Sequence, residues 1–266
     1  MSRISDAFAN ARAQDRGALV VYITAGDPNL GVTRELVPLI ARAGADVIEL
    51  GMPYSDPVAD GPTIQAAGQR ALAAGATVDG ILAMVRTIRS RCDVPLVFMT
   101  CYNPVLQHGL ETFAAEAAAA GIDGVLISDL PPEEAGPWCE IAWAAGLDTI
   151  FLASPTTPPA RARLIADLAR GFVYAVARAG VTGAQAELPP DLPELIGRLR
   201  EVTDKPIAVG FGISTPAQVR QVCEVADGAI VGSAVVKLIE EMGGAEDIFY
   251  TAPNFVSSLA AATRRA

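Results

Sequence analysis

Short apolar runs recur along the chain, each followed by loop residues and then by a stretch of helical period. They predict strands at Leu19–Thr24, Val47–Leu50, Leu96–Thr100, Gly124–Ile127, Thr149–Ala153, Phe172–Ala175, Ile207–Gly210 and Gly228–Val231. Several are apolar at every position instead of alternating, as strands covered on both faces are. Between them, Leu30–Ala43, Phe113–Ala120 and Glu133–Ala145 read as helices. They stop at Gly44, Gly121 and Gly146, where a left-handed C-terminal turn favours glycine. Pro132, Pro159 and Pro216 stand where a first helical turn tolerates proline. The interval from Leu50 to Thr100 is double the usual spacing and holds two helical patterns, Thr63–Ala73 and Val78–Arg89.

Strand–helix units repeated in this way across 266 residues predict a (β/α)8 TIM barrel. Extra helices are expected at Ile4–Gln14 and near Pro253–Arg264. An open doubly wound sheet is the rival, but the first strand-to-helix turn lacks the Gly-x-Gly-x-x-Gly of a dinucleotide fold. With no composition break or flexible linker, residues 1–266 are expected to form a single domain.

The chain is 51% hydrophobic, yet no apolar run approaches the roughly 18–20 residues of a membrane-spanning helix. The surplus belongs to a core buried on more than one face. A net charge of −10 argues against a nucleic-acid or anionic-membrane surface. It leaves room for a phosphate ligand, which loop amides and helix N-termini bind without basic side chains. Four scattered cysteines, with no Cys-x-x-Cys, and a polar Met1–Arg16 predict a cytoplasmic protein with reduced thiols and no secretory signal.

In a barrel, chemistry belongs at the strand C-termini and the loops that follow. Glu49 is a carboxylate embedded in the apolar strand 45–51, and the loop after it carries Asp56 and Asp60 among prolines and glycines. Such a loop is stiff and can hold Asp60 facing Glu49. The plain alternatives are an arginine-paired structural acid for Glu49, a helix N-cap for Asp60 and a turn residue for Asp56. After the sixth strand, Arg178-Ala-Gly-Val-Thr-Gly-Ala-Gln-Ala186 has the small residues of a mobile lid, or of an ordinary loop. Gly210 and Gly212, then Gly232 and Ser233, close the last two strands where barrels bind phosphate. Lys205 lies before the seventh strand and Lys237 within a helix, so neither suits a Schiff base. The one histidine, His108, is expected in a polar surface loop, and no metal site is expected. The inventory points to proton transfer on a small anionic substrate.

Two stretches, Glu49-Leu-Gly-Met-Pro-Tyr-Ser-Asp-Pro-Val-Ala-Asp-Gly-Pro-Thr-Ile-Gln65 and Arg178-Ala-Gly-Val-Thr-Gly183, resemble the α subunits of tryptophan synthase. Met99-Thr-Cys-Tyr-Asn-Pro104, Asp129-Leu-Pro-Pro-Glu-Glu134 and Gly210-Phe-Gly-Ile-Ser214 extend the resemblance over essentially the whole chain. It implies cleavage of indole-3-glycerol phosphate to indole and glyceraldehyde 3-phosphate, with Glu49 and Asp60 as the catalytic pair. It further implies that Tyr174 lies near the glutamate, that Tyr102 lines the indole pocket and that Thr100 belongs with the substrate-binding residues. Thr182 matches a lid threonine that meets the aspartate on closure. Gly183, Phe211, Gly212, Gly232 and Ser233 match the phosphate site. Tyr22 stands where some relatives have phenylalanine, and Ala179 where some have serine.

The partner implied is a pyridoxal-phosphate β subunit in an α2β2 heterotetramer, faced by the loop carrying Pro53 and Asp56. No cofactor is implied in this chain. A stand-alone lyase releasing free indole, a silent barrel kept as an activating module, and another phosphosugar isomerase or epimerase are the competing readings.

Overall fold

The computed structural model describes residues 2–57, 60–177, 188–210, 212–243 and 246–265. Strands β1 (Ala18–Thr24), β2 (Val47–Gly51), β3 (Leu96–Thr100), β4 (Gly124–Ile127), β5 (Asp148–Ala153), β6 (Val173–Val176), β7 (Ile207–Gly210) and β8 (Gly228–Val231) pair in parallel, in chain order. β8 pairs back onto β1 and closes a (β/α)8 barrel. Helix α1 (Arg3–Ala13) precedes the barrel, and α2 (Leu30–Arg42) follows β1. The long interval holds α3 (Pro62–Ala73) and α4 (Val78–Arg89), as the sequence pattern predicts. Then come α5 (Tyr102–His108), α6 (Leu110–Ala120), α7 (Gly136–Ala144), α8 (Pro159–Leu168), α9 (Leu192–Arg200), α10 (Pro216–Val225), α11 (Ser233–Met242) and α12 (Ile248–Ala261). No single helix among the described residues is long and apolar enough to cross a membrane.

The strands are apolar throughout because each face is covered differently. Outward residues such as Leu19, Val21, Ile48, Leu50 and Phe98 pack against the ring of helices. Inward residues such as Val20, Val47, Val97, Leu126, Ile150 and Ala208 fill the interior with Ile4 and Phe8 of α1, which plug its floor. Glycine makes that plug possible: a Cβ at Gly228 would come within 2.7 Å of the Ala18 carbonyl and 3.0 Å of the Phe8 ring.

The floor is tied by a repeated device that the hydrophobic pattern does not reveal. Asp46, Asp123 and Asp227 each immediately precede an even-numbered strand or its first residue, and each carboxylate accepts an amide from the first or second residue of the odd strand beside it. The partner amides are Leu19, Leu96 and Ile207, each at 2.8 Å. Each carboxylate also meets arginine: Arg16 for Asp46, Arg89 for Asp123, and Arg12 with Arg200 for Asp227. Burial pushes the Asp227 carboxyl up, but the Ile207 amide and the two guanidiniums outweigh it, leaving it below its ordinary value.

Several boundaries differ from the sequence expectation. α5 went unpredicted, and α6 starts three residues earlier, at Leu110 rather than Phe113. His108 therefore ends a helix instead of lying in a loop, and its ring meets Glu116 at 2.8 Å. Pro132 lies in a turn, because Pro131 and Pro132 supply no amide donors and α7 starts only at Gly136. The last helix starts at Ile248, not Pro253; burial of Ile248 and Ala252 outweighs the one bond that the internal proline forgoes.

Replacing Asp227 by alanine should destabilise the fold by about 2–3 kcal/mol at pH 7, because it strips a buried strand amide and two arginines of their acceptor. Since the folded carboxyl titrates below its unfolded value, its contribution is full above about pH 4 and fades as pH falls further. Urea unfolding of both proteins from neutral to acid pH checks the size of the gap and its closure.

Candidate active site

The C-terminal mouth of the barrel holds a cleft with about 560 Å³ of empty space, part of it open to solvent. Tyr22, Glu49, Asp60, Tyr174, Gly212, Gly232 and Ser233 all line it. Ile64, Met99, Ile213, Ser214, Ile230 and Ala234 complete the wall, and none of these was singled out from sequence as a site residue. No lysine, arginine or histidine is among the described residues of the lining.

Strand alternation aims Glu49 inward. It sits in register with Tyr22 on β1 and Val97 on β3, and is 1% exposed. Neither of its carboxylate oxygens has a hydrogen-bond partner among the described residues. No arginine among the described residues pairs with it, in contrast to the aspartates of the floor. Burial, reinforced by the nearby charge of Asp60, pushes the Glu49 carboxyl up to about 8. At neutral pH it is mostly protonated.

Asp60 reaches the same cleft from the β2–α3 loop. Gly61, not Asp60, caps α3, and Asp60 makes no capping bond. The loop is anchored from behind: the Gln65 side-chain amide donates to the carbonyls of Pro57 (3.2 Å) and Asp60 (2.9 Å), and the Asp60 amide donates to Pro57 (3.1 Å). The Tyr54 hydroxyl donates to the Asp60 carboxylate at 3.4 Å. Partial burial raises the Asp60 carboxyl, and this bond opposes the rise.

The aromatic walls depend on glycines of the neighbouring strands. A Cβ at Gly51 would lie 2.0 Å from the Tyr22 hydroxyl oxygen, and one at Gly210 would lie 2.3 Å from that of Tyr174. Burial raises both phenols well above their ordinary range, so both stay neutral.

In the same lining, α11 begins at Ser233 with Gly232 before it. The first amides of a helix have no acceptor within it, and the helix dipole adds positive field there. The Ser214 amide is already engaged by the Gln218 side chain at 2.8 Å, within the capping box of α10. Among the described residues, an anion at this helix start would meet backbone amides and no basic side chain.

Thr100 borders an adjoining pocket with Tyr22, Pro53, Tyr54 and Asp60, and its buried hydroxyl lacks a partner among the described residues. Pro53 and exposed Asp56 face a more open pocket beside Ser128 and Asp129. Tyr102 opens α5, packs partly buried on the outer core and lines neither the cleft nor the adjoining pocket. Thr182, Gly183 and Phe211, and with them the expected lid at 178–186, lie outside the described residues. Sequence reasoning missed Tyr54 and Gln65 as parts of the site, although both fall inside the motif that identified the loop.

Comparison with known proteins brings relatives over the full length of the chain. A family described as tryptophan synthase alpha chain matches residues 8–263. The tryptophan synthase alpha chain of Geobacter sulfurreducens is 54% identical over 259 residues, covering 97% of this chain and 98% of its own. That of Opitutus terrae is 44% identical over 266 residues, the whole of both chains. Among solved structures, Mycobacterium tuberculosis tryptophan synthase is similar with a TM-score of 0.92 at 39% identity, covering 100% of this chain and 99% of that one. Tryptophan synthase subunit alpha from Legionella pneumophila gives 0.91 at 38% identity, over 99% and 98% of the two chains.

A raised carboxyl pKa in the folded state penalises folding once the group must ionise. The parent should therefore lose stability relative to Glu49→Gln as pH rises from about 4.5, and the gap should level off above about 8. The pH-dependent part should reach ~3–5 kcal/mol. Urea unfolding of both proteins across that range measures it, and parallel curves would remove the buried-acid assignment.

Proposed function

The chain belongs to the tryptophan synthase alpha chain family, and on that premise we propose that Glu49 and Asp60 perform its retro-aldol cleavage of indole-3-glycerol phosphate to indole and glyceraldehyde 3-phosphate. The observation that carries the assignment is an enclosed carboxyl facing a second acid in one cleft, with no hydrogen-bond partner on the first and no cation beside either among the described residues.

Cleaving the bond between indole C3 and the glycerol side chain requires C3 to become tetrahedral first. Glu49, protonated near neutral pH, gives its proton to C3 and leaves an electron-poor indolenine. Positive charge then develops at the ring nitrogen, whose N–H the ionised Asp60 accepts. The glycerol hydroxyl next to the breaking bond loses its proton to the Glu49 carboxylate as the aldehyde forms. The bonding pair returns to the ring, so Glu49 ends the cycle protonated. Tyr22 and Tyr174 wall the ring, and the buried Thr100 hydroxyl is free to meet a substrate polar group. The phosphate is assigned to the amides at Gly232 and Ser233 with Gly212, joined by Gly183 and Phe211 on the strength of the family motif. Thr182 is assigned to the lid on the same ground. Tyr102 is assigned to the indole pocket on the strength of the family motif alone, since it lines neither pocket here.

Indole passes to the β subunit of tryptophan synthase, with which the α chain forms an α2β2 complex. The loop bearing Pro53 and Asp56 is the proposed contact, and pyridoxal phosphate belongs to the β subunit rather than to this chain. The chain is read as one cytoplasmic domain; the closed barrel supports the one-domain part of that statement.

Indole release from indole-3-glycerol phosphate, assayed with and without a β subunit, tests the assignment. Glu49→Gln and Asp60→Asn should each lower kcat by about a thousandfold, while a glycerol-phosphate analogue still binds. Near-parental turnover by either variant would take that residue out of the chemistry. Addition of the β subunit should accelerate cleavage by the parent; equal rates with and without it would instead support a stand-alone lyase.

A further inference from the structure

Asp60 must accept a ring N–H, which requires a carboxylate that is both ionised and aimed. Its backbone is held at both ends, through the amide bond to Pro57 and the Gln65 bond to its carbonyl. Its side chain is held differently. Among the described residues, the Tyr54 hydroxyl is the one side-chain donor to the Asp60 carboxylate, at 3.4 Å. Tyr54 stands between two spaces: it lines the pocket shared by Asp60 and Thr100, and also the outer one that holds Asp56 and Ser128.

The titratable groups around Asp60 come from several elements. Tyr22 faces it from β1, Glu49 from β2, Cys101 from the end of β3 and Tyr54 from its own loop. None is a cation. Burial favours the neutral form of Asp60, and no lysine or arginine among the described residues of the two pockets opposes it.

Resting on the catalytic assignment of Asp60 made above, we propose that the Tyr54 hydroxyl is a positioning group, fixing the rotamer of the Asp60 carboxylate toward the indole nitrogen. A hydrogen bond donated to a carboxylate stabilises the charged form, so the same contact keeps the acceptor ready. A phenylalanine here would keep the ring and its packing but lose both effects.

The test is Tyr54→Phe in the complete α2β2 enzyme, measured beside Asp60→Asn. Loss of a hydrogen bond to a charged group should lower kcat about tenfold. KM should stay within about twofold, since the phenol touches the acid and not the substrate. The acid limb of the kcat–pH profile should move up by about half to one unit, because the bond that favours ionisation is gone. A carbon-13 NMR titration of the Asp60 carboxyl should move the same way, with an unchanged thermal midpoint. If kcat, acid limb and carboxyl titration all match the parent while Asp60→Asn is inactive, the tether is overturned and the catalytic pair stands. If Asp60→Asn itself turns over normally, the catalytic assignment falls and the tether with it.

Discussion

Desolvation of one carboxyl governs this site. Glu49 lies on a strand whose other residues are apolar, and its side chain enters an interior with no cation and no donor among the described residues. Water would favour its ionised form; the barrel interior does not, and the second acid at the cleft raises the cost of ionising it further. The result is a proton held near neutral pH at a place where solvent does not reach. General-acid chemistry needs that proton, and the fold supplies it by exclusion rather than by any activating partner.

The two ends of the barrel use the same side-chain types in opposite ways. At the floor, Asp46, Asp123 and Asp227 accept strand amides and face arginines. Their charge is neutralised where it sits, and they stitch neighbouring strands together. At the mouth, Glu49 and Asp60 have no arginine partner among the described residues. The floor acids are thus neutralised where they sit and the mouth acids are not, as expected of a fold whose variable loops follow the strand C-termini. Glycine repeats this division. Gly228 makes room at the floor for the α1 plug, while Gly51 and Gly210 make room at the mouth for two tyrosine hydroxyls.

Polarity along the cleft matches a ligand with an aromatic end and an anionic end. Tyr22, Met99 and Ile64 give a flat apolar wall near the two acids. The start of α11 gives a positive field from backbone alone. Backbone amides can hold an anion in a strongly acidic chain, and no lysine or arginine among the described residues of the cleft draws Glu49 into its ionised form.

Much of this was legible from residue order. Apolar runs located all eight strands to within one residue at nearly every end, because a strand buried on both faces has no alternative composition. An acid inside such a run marked Glu49, and the proline-rich loop marked Asp60, since both violate the local rule of their segment. Helix starts at Pro132 and Pro253 were misread, because proline obeys local turns in one case and yields to core burial in the other. α5 was missed because seven residues carry too little periodicity to register. Nothing in the order of residues says that, among the described residues, Glu49 has no arginine while Asp227 has two, or that Tyr54 reaches Asp60. Those are distances between segments far apart or bent back by a loop. Composition and period determine which residues are buried and in what element; only closure of the barrel decides which of the buried acids meet a partner, and so which are structural and which are left free to react.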